Sequence, residues 1–303
     1  MSPKQVWRML KQAFQEWNQD KASQLAAALA YYTIFSLAPL LILAIAVAGL
    51  FFDSDAVRDQ LMSQVESLIG GTGADFVRTV LDNANQPGQN SGWIASGLSI
   101  VLLLVGATGV LAQLQLALNA IWNIEARPDK GVFNLIRARV LSLGMIIVIG
   151  FLLLVSLVVS SVIAGFSGYL YTLAPGLDAL VQFLNFAVGF GMVTLLFAAM
   201  FKYLPDAVIA WRDVWFGAAA TAVLFSIGKY LIGLYLGNSS FGSSYGAAGS
   251  VIILLVWVFY SAQILFYGAE LTQVYSRRFG SKIRPSENAV STDQPAQDNS
   301  DSA

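Results

Sequence analysis

The 303-residue chain contains no cysteine and no histidine. These two absences exclude disulfides, zinc sites built from Cys and His, haem ligation by either residue, and catalysis that needs a thiol or an imidazole. Charged residues make up only 12% of the chain, about half of their share in an ordinary soluble domain. The net charge of −1 gives no overall attraction for nucleic acid. Hydrophobic residues, in contrast, make up 56%, so the composition is typical of a protein in a lipid bilayer.

Long apolar runs predict membrane-spanning helices. A spanning helix needs about 20 apolar residues, because the hydrocarbon layer is about 30 Å thick and a helix rises 1.5 Å per residue. Six stretches qualify, at about 25–52, 92–118, 139–164, 178–201, 214–236 and 247–272. They are too long for barrel strands and lack the alternation of such strands. The predicted fold class is therefore an all-α membrane protein with a bundle of six transmembrane helices.

The distribution of Lys and Arg predicts the orientation. Most of these 17 residues lie before the first span, in the second and fourth connections, or after the last span, whereas only Arg58 and Arg78 lie on the other side. Positive charge stays cytoplasmic, so we expect a multi-pass membrane protein with both termini in the cytoplasm. The leader carries Glu16 and Asp20 and precedes a long apolar stretch, which favours a retained anchor over a cleaved signal peptide.

Three regions are predicted. Residues 1–24 form a cytoplasmic amphipathic helix, which either lies on the membrane surface or packs under the bundle. Residues 25–272 form the six-helix domain, and within it residues 53–91 form a small outer cap of two amphipathic helices. Residues 273–303 form a cytoplasmic tail that is largely disordered, because the sequence from Pro285 is rich in Ser, Asp, Asn and Gln.

Lys229 is the most informative residue, because it lies in the fifth span about 10 Å from its outer end. A buried ammonium group costs about 2.5–3.5 kcal/mol, so it needs a partner or a wet cavity unless its stem lifts the charge to the interface. Asp53, at the outer end of the first span, is the predicted counter-ion.

A Gly/Ser-rich connection follows and enters the sixth span. Its polar groups and the N-terminus of the next helix predict an anion-binding pocket beside Lys229, with a tight polar hairpin as the alternative. The candidate residues for this pocket are Ser243, Ser244, Tyr245, Gly246 and Ser250.

Glu270 lies at the cytoplasmic end of the sixth span, on the side opposite Lys229. It is predicted either to form a salt bridge or to couple a proton or cation. The candidate salt-bridge partners are Arg137, Arg139 and Lys202.

Two further features shape the predicted bundle. Pro39 interrupts the first span and is expected to kink it, since proline frees the carbonyl four residues back. Gln115, Asn119 and Asn123 follow an i, i+4, i+8 spacing and share one helix face. This polar stripe either lines an aqueous path or joins helices by hydrogen bonds.

No motif indicates an enzyme. The sequence contains no paired-carboxylate motif, no HExxH motif and no glycine-rich phosphate loop, so we expect no catalytic residues, no metal and no cofactor.

Several segments resemble signatures of the YihY/virulence factor BrkB family of bacterial inner-membrane proteins. The segments are Asp20 to Leu41 with Tyr31-Tyr32 and Pro39, Tyr203-Leu-Pro205-Asp206, Trp211-Arg212-Asp213-Val-Trp-Phe-Gly217, Gly228-Lys229, Ser244-Tyr245-Gly246-Ala-Ala-Gly249-Ser250 and Gly268-Ala-Glu270-Leu-Thr272. The resemblance implies a six-helix membrane domain with a role in transport or envelope integrity. The family was once mislabelled ribonuclease BN, and this chain has no residues that assemble a nuclease centre.

Two functional hypotheses follow. The first is a transporter or flippase-like carrier of an anionic solute or amphiphile of the cell envelope, which would bind at Lys229. The second is a non-transporting membrane scaffold that supports envelope integrity. The expected partners are the lipid bilayer and an anionic solute or lipid, together with a second copy of the chain or other envelope proteins. Nucleic acid is not expected.

Overall fold

The computed structural model describes residues 2–84, 93–127, 137, 139–152, 155, 158–159, 178–237 and 248–292. The helices are α1 (Pro3–Gln19), α2 (Ala22–Gly49), α3 (Ser54–Ala84), α4 (Trp93–Ile121), α5 (Arg139–Leu152), α6 (Asp178–Tyr203), α7 (Trp211–Gly237) and α8 (Ala248–Phe279). The strands are β1 (Ile124–Ala126), β2 (Ala207–Val208), β3 (Arg284–Pro285) and β4 (Ala289–Ser291).

The protein is mostly helical, and the prediction of an apolar helical bundle is confirmed. Within the described residues, four helices are long and apolar enough to cross a membrane. Their apolar stretches are Ala22–Gly49, Gln182–Tyr203, Trp211–Tyr235 and Ala248–Phe279. Two shorter apolar helices, Val105–Ile121 and Arg139–Leu152, overlap the second and third predicted spans. Residues 153–154, 156–157 and 160–164 of the third predicted span lie outside the described residues.

Helix packing places α8 at the centre of the bundle. α8 packs against α1, α2, α3, α4 and α7, and α7 packs on its other side against α6. α7 and α8 approach closely because glycine on one helix faces threonine on the other. A Cβ atom at Gly217 would lie 1.9 Å from Thr272 Oγ1, and one at Gly268 would lie 2.0 Å from Thr221 Oγ1. Small residues of this kind let membrane helices pack with their backbones in near contact.

The N-terminal helix α1 packs against the bundle. Its buried residues Met9 and Ala13 contact the C-terminal part of α8, and the hydroxyl of Tyr267 donates to the carbonyl of Leu10 at 3.1 Å. Trp7 and Phe14, in contrast, are 69% and 59% exposed. The predicted amphipathic helix is therefore observed, packed on α8 with an apolar strip left on its outer side.

The helix α3 covers one end of the bundle and is broken at Gly70, whose φ of 75° is favourable only for glycine. The two segments on either side of Gly70 match the two amphipathic helices predicted from the sequence. Leu61, Val77 and other apolar residues of α3 pack against Leu41 of α2 and Leu254 of α8. We refer to this end of the bundle as the α3 end.

The opposite end, which we call the strand end, carries two small antiparallel sheets. β1 pairs with β4, with Glu125 opposite Val290, and β2 pairs with β3, with Ala207 opposite Pro285. These strands add to the predicted all-α architecture. They also correct the predicted tail, because residues 285–292 are not disordered. The strands give their backbone groups partners, and Ala289 is 4% exposed within the core. Residues 293–303 lie outside the described residues.

Candidate functional site

A cavity of about 670 Å³ lies inside the bundle, and we call it the Lys229 chamber. Helices α2 to α8 all contribute to its wall. Its size is within the range of about 300–1,000 Å³ typical of small-molecule sites. Among the described lining residues Lys229 is the only charged one. The neutral polar ones are Thr33, Gln60, Gln64, Ser67 and Ser261.

Lys229 enters the chamber from α7 near the α3 end. The side chain is half-buried, and its Nζ donates to the hydroxyl of Ser67 on α3 at 2.8 Å. An ammonium group has three N–H donors, so one hydrogen bond leaves capacity for a ligand. Among the ion pairs between described residues, none includes Lys229. Lys229 therefore brings a positive charge to the chamber wall, and no carboxylate of the described residues balances it.

The predicted pairing of Asp53 with Lys229 is wrong. Asp53 precedes α3, and its Oδ1 accepts hydrogen bonds from the backbone N–H groups of Asp55 and Ala56, both at 3.1 Å. An aspartate at this position satisfies free N–H groups of the first helical turn. Asp53 therefore caps α3 and forms no ion pair with Lys229.

Most of the chamber wall is apolar. On α6 the lining extends from Val188 to Met200, and on α2 it extends from Leu29 to Leu40. Twelve residues of helix correspond to about 18 Å along the axis, which is more than half of the hydrocarbon thickness of about 30 Å. The chamber is thus a deep apolar space with one positive charge near one end.

The predicted anion-binding residues of the Gly/Ser connection lie largely outside the described part of the chain. This applies to Ser243, Ser244, Tyr245 and Gly246. Ser250 is described and lies half-buried in the first turn of α8. The role of all five residues stays a prediction.

At the strand end, polar side chains converge on Asp206, which is 7% exposed. Its Oδ2 accepts from Gln115 Nε2 at 3.2 Å and from Asn119 Nδ2 at 2.9 Å. Its Oδ1 accepts from Arg137 in an ion pair, and its backbone N–H donates to Asn119 Oδ1 at 2.8 Å. The carbonyl of Asp206 accepts from the N–H of Ser286 in the tail. Asp206 therefore joins α4, Arg137 in the segment before α5, and the tail.

The polar stripe of α4 forms hydrogen bonds to a neighbouring segment, as one of the two alternatives predicted, while the aqueous path stays a prediction. Gln115 and Asn119 join helices through Asp206, and together with Asn123 they also line a second cavity of about 590 Å³ at the strand end. Asn123 has a φ of 55°, and its carbonyl accepts from the N–H of Thr292. The stripe thus holds the strand end together beside a space of moderate size.

Glu270 is fully buried in α8, and the carboxyl group of Asp20 lies beside its own carboxyl group. The charged groups that act on it electrostatically are Asp20, Glu16 and Arg277. Arg277 forms an ion pair with Glu16 of α1. Glu270 is therefore a buried acidic group beside the junction of α1 and α2.

None of the three salt-bridge partners predicted for Glu270 contacts it, so that prediction is wrong. Arg137 pairs with Asp206, Arg139 donates to Thr108 Oγ1 at 2.5 Å, and Lys202 donates to the carbonyl of Ile209 at 2.5 Å. All three cations are committed to other partners.

Asp213, at the start of α7, is a second buried acidic group that sequence reasoning missed. Its Oδ2 accepts from the hydroxyl of Ser276 at 2.8 Å and from the N–H and hydroxyl of Ser281, both at 3.0 Å. A Cβ atom at Gly280 would lie 2.3 Å from the same carboxylate. Asp213 stands in one of the segments that resemble the family signatures, and this could have marked it as a candidate. Its hydrogen-bond partners could not be predicted, because they are more than 60 residues away in the chain.

Pro39 lies inside α2, which is assigned as one helix from Ala22 to Gly49. The hydroxyl groups of Thr33 and Ser36, near Pro39, form hydrogen bonds with groups other than the carbonyl that the proline frees. Thr33 donates to the carbonyl of Leu29 at 2.7 Å, and Ser36 accepts from the N–H of Val110 at 3.2 Å. Gly106 of α4 lies against the proline ring, because a Cβ atom there would be 2.9 Å from Pro39 Cγ. Pro39 therefore forms part of the contact between α2 and α4.

No cluster of three or more potential metal-ligating side chains is present in the described ranges. The residues that line the chamber are apolar, amide or hydroxyl groups apart from the single lysine. A negatively charged group is the partner that this arrangement is suited to bind.

Comparison with known proteins agrees with the resemblance seen in the sequence. The chain matches the family described as Virulence factor BrkB over residues 13–293. A UPF0761 membrane protein of Albidiferax ferrireducens is 30% identical over 267 residues, which cover 87% of this chain and 61% of the relative. One of Alteromonas mediterranea is 30% identical over 270 residues, covering 87% of this chain and 86% of the relative.

A UPF0761 membrane protein of Pseudomonas aeruginosa is 28% identical over 255 residues, covering 83% of this chain and 59% of the relative. Two of these three alignments therefore span less than two thirds of the relative's length. No solved structure matches the chain significantly. Because the family match extends over nearly the whole sequence, the chain belongs to the virulence factor BrkB family of membrane proteins.

Proposed function

We propose that the protein is a carrier that binds an anionic amphiphile of the cell envelope in the Lys229 chamber and moves it within the membrane. In this proposal six helices span the bacterial inner membrane, both termini face the cytoplasm, and the chain performs no enzymatic reaction. The excess of Lys and Arg in the segments at the strand end supports this orientation.

One observation carries the proposal. The chamber places an ammonium group at one end of a deep cavity, and the described residues supply neither a carboxylate partner for it nor another charge on the wall. An intramembrane charge is costly and usually marks a functional site. An anionic headgroup would balance the charge of Lys229, and apolar chains would cover the remaining wall.

The experiment is a transport assay with purified protein in liposomes that contain a fluorescent anionic phospholipid. Lys229→Gln should lower the rate of lipid movement at least tenfold, because the headgroup loses its counter-charge. Lys202→Gln is the matched control, since Lys202 lies at the strand end and bonds to the backbone of Ile209. The control should keep the rate of the unaltered protein, and both variants must insert to the same level.

A scaffold without transport is the competing function. It predicts no protein-dependent movement of lipid in the liposomes and no effect of Lys229→Gln on envelope integrity in cells. Removal of residues 293–303, which keeps β3 and β4, would then abolish the cellular phenotype, because a scaffold acts through segments that bind other proteins. That set of results would overturn the carrier proposal.

A further inference from the structure

The number of charges in the Lys229 chamber limits the charge of its ligand. Among the described residues that line the chamber, Lys229 alone carries a charge. A ligand with one negative charge is balanced by this ammonium group. A second negative charge would lie in apolar surroundings without a cation, which is strongly unfavourable.

Neutral polar groups line the chamber on its α3 side, and one of them is bonded to the ammonium group. Gln60, Gln64 and Ser67 line the chamber from α3 at an i, i+4, i+7 spacing, and Ser67 is bonded to Lys229. Residues at this spacing share one face of a helix. Amide and hydroxyl groups can donate to the oxygens of a headgroup without adding charge. The polar end of the chamber thus suits a headgroup that has several oxygens and a single negative charge.

The apolar part of the chamber extends away from this polar end. Leu29 and Met200 line the part farthest along α2 and α6. Gly189 lies on the wall, and a Cβ atom there would meet nothing within 4 Å, so the space beside it is open. A hydrocarbon chain that follows the helix axes would cover this wall and exclude water from it.

We propose that the ligand of the Lys229 chamber is a singly charged acyl lipid. Its headgroup oxygens lie at Lys229 and the polar face of α3, and its acyl chain extends toward Met200. The inference rests on the proposed function, since it assigns a ligand class to the same chamber. A phosphodiester and a fatty carboxylate share this chemistry, and the experiment separates them.

The test is a binding measurement on the full-length protein in a neutral detergent. Four probes with the same chain are compared: lysophosphatidylglycerol, palmitate, zwitterionic lysophosphatidylcholine and the more highly charged lysophosphatidic acid. At least one of the two singly charged probes should bind tenfold or more tightly than the last two, and which one does so identifies the headgroup. Lys229→Gln should remove this preference, whereas Lys202→Gln should keep it.

Two glycines of α6 provide a matched test of where the acyl chain of the ligand lies. A Cβ atom added at either Gly189 or Gly191 would meet nothing within 4 Å, but only Gly189 lines the chamber. Gly189 lies at the end of the α6 lining away from Met200, beside the first carbons of the chain, so Gly189→Leu should weaken binding of a 16-carbon and an 8-carbon probe alike, at least fivefold. Gly191→Leu should change neither.

The outcomes separate this inference from the carrier proposal. Equal binding of charged and zwitterionic probes, tighter binding of lysophosphatidic acid, or an unchanged preference in Lys229→Gln would overturn the ligand class. If the expected preferences appear but the liposomes show no lipid movement, the ligand class stands and the carrier function is wrong. If the liposomes show protein-dependent movement of lipid but these preferences are absent, the carrier function stands and the ligand class is wrong.

Discussion

At the strand end, the carboxylate of Asp206 accepts two amide hydrogen bonds and forms an ion pair with Arg137. At the α3 end, the ammonium of Lys229 has one hydroxyl partner within the described part of the chain. Both charges lie in the bundle, but their surroundings differ. The first is matched by groups from several elements of the chain. The second borders an open chamber of about 670 Å³.

This difference indicates which end stabilises the fold and which end is available to a ligand. A polar network whose members all have partners fixes the elements that it joins. A charge with unused hydrogen-bonding capacity beside a cavity contributes little to stability, and it can bind a group that arrives from outside. The stability of variants at the two ends measures this difference directly.

The largest effect is expected from Asp206→Asn. The amide keeps a similar shape but removes the negative charge, which leaves Arg137 without its counter-ion, and breaking a largely buried pair in this way costs about 3 kcal/mol. Thermal unfolding in detergent should show a clear drop in Tm. Asp82→Asn is the control, because Asp82 pairs with Arg58 at an exposed position of α3 and its loss should cost less than about 1 kcal/mol. Equal losses of stability in both variants would contradict the conclusion that the hydrogen-bond network around Asp206 stabilises the strand end.

Removal of the tail strands should have the next largest effect. A chain that ends at residue 283 loses the hydrogen bonds from Ser286 to Asp206, from Thr292 to Asn123 and from Arg127 to Asn288. At about 0.5–1.5 kcal/mol for each bond, the free energy of unfolding should fall by about 2 kcal/mol. A chain that ends at residue 292 keeps these bonds and should unfold at the original Tm. If the two truncations behave alike, the tail does not stabilise the strand end.

The close contact between α7 and α8 gives a third and smaller effect. A methyl group at Gly268 would overlap Thr221 Oγ1, so Gly268→Ala should lower the free energy of unfolding by about 1.5 kcal/mol. The double variant Gly268→Ala with Thr221→Ala should recover much of this loss, since the overlapping hydroxyl is removed. Gly233→Ala on α7 is the control, because its Cβ atom meets nothing within 4 Å. No recovery in the double variant would argue against direct overlap at this contact.

The sequence predicted the features that depend on composition and local periodicity. Long apolar runs located the bundle, helical spacing located α1, and the glycine-rich segment located the break of α3 at Gly70. The spacing of Gln115 and Asn119 likewise identified a polar face of α4. Each of these predictions uses residues that are close in the chain, where the geometry of a helix fixes which side chains share a face.

The partners of buried charges could not be predicted in this way. Asp206 and Asp213 bind groups that are more than 60 residues away, and nothing in the sequence fixes which distant segments meet. Asp53 had the right sign and depth to pair with Lys229, but local capping of α3 satisfies its carboxylate. The polar end of the chamber was missed for a related reason, since Gln60 and Gln64 face it only because α3 folds over the bundle.

The smallest effect is expected from Lys229→Met, which should raise the free energy of unfolding where the other variants lower it. The variant removes an intramembrane charge that costs about 2.5–3.5 kcal/mol and loses one hydrogen bond worth about 1 kcal/mol, while methionine packs well against the apolar wall. Part of the cost is already relieved because the side chain is only half-buried, so without ligand the free energy of unfolding should rise by about 1 kcal/mol. Lys202→Met should instead lower it, because Lys202 bonds to Ile209 and lies 5.6 Å from the ring centre of Trp211. A lower Tm for both variants would mean that Lys229 stabilises the fold as the strand-end charges do. A rise for Lys229→Met alone would show a charge kept at a cost to stability, as expected for a residue that binds a ligand.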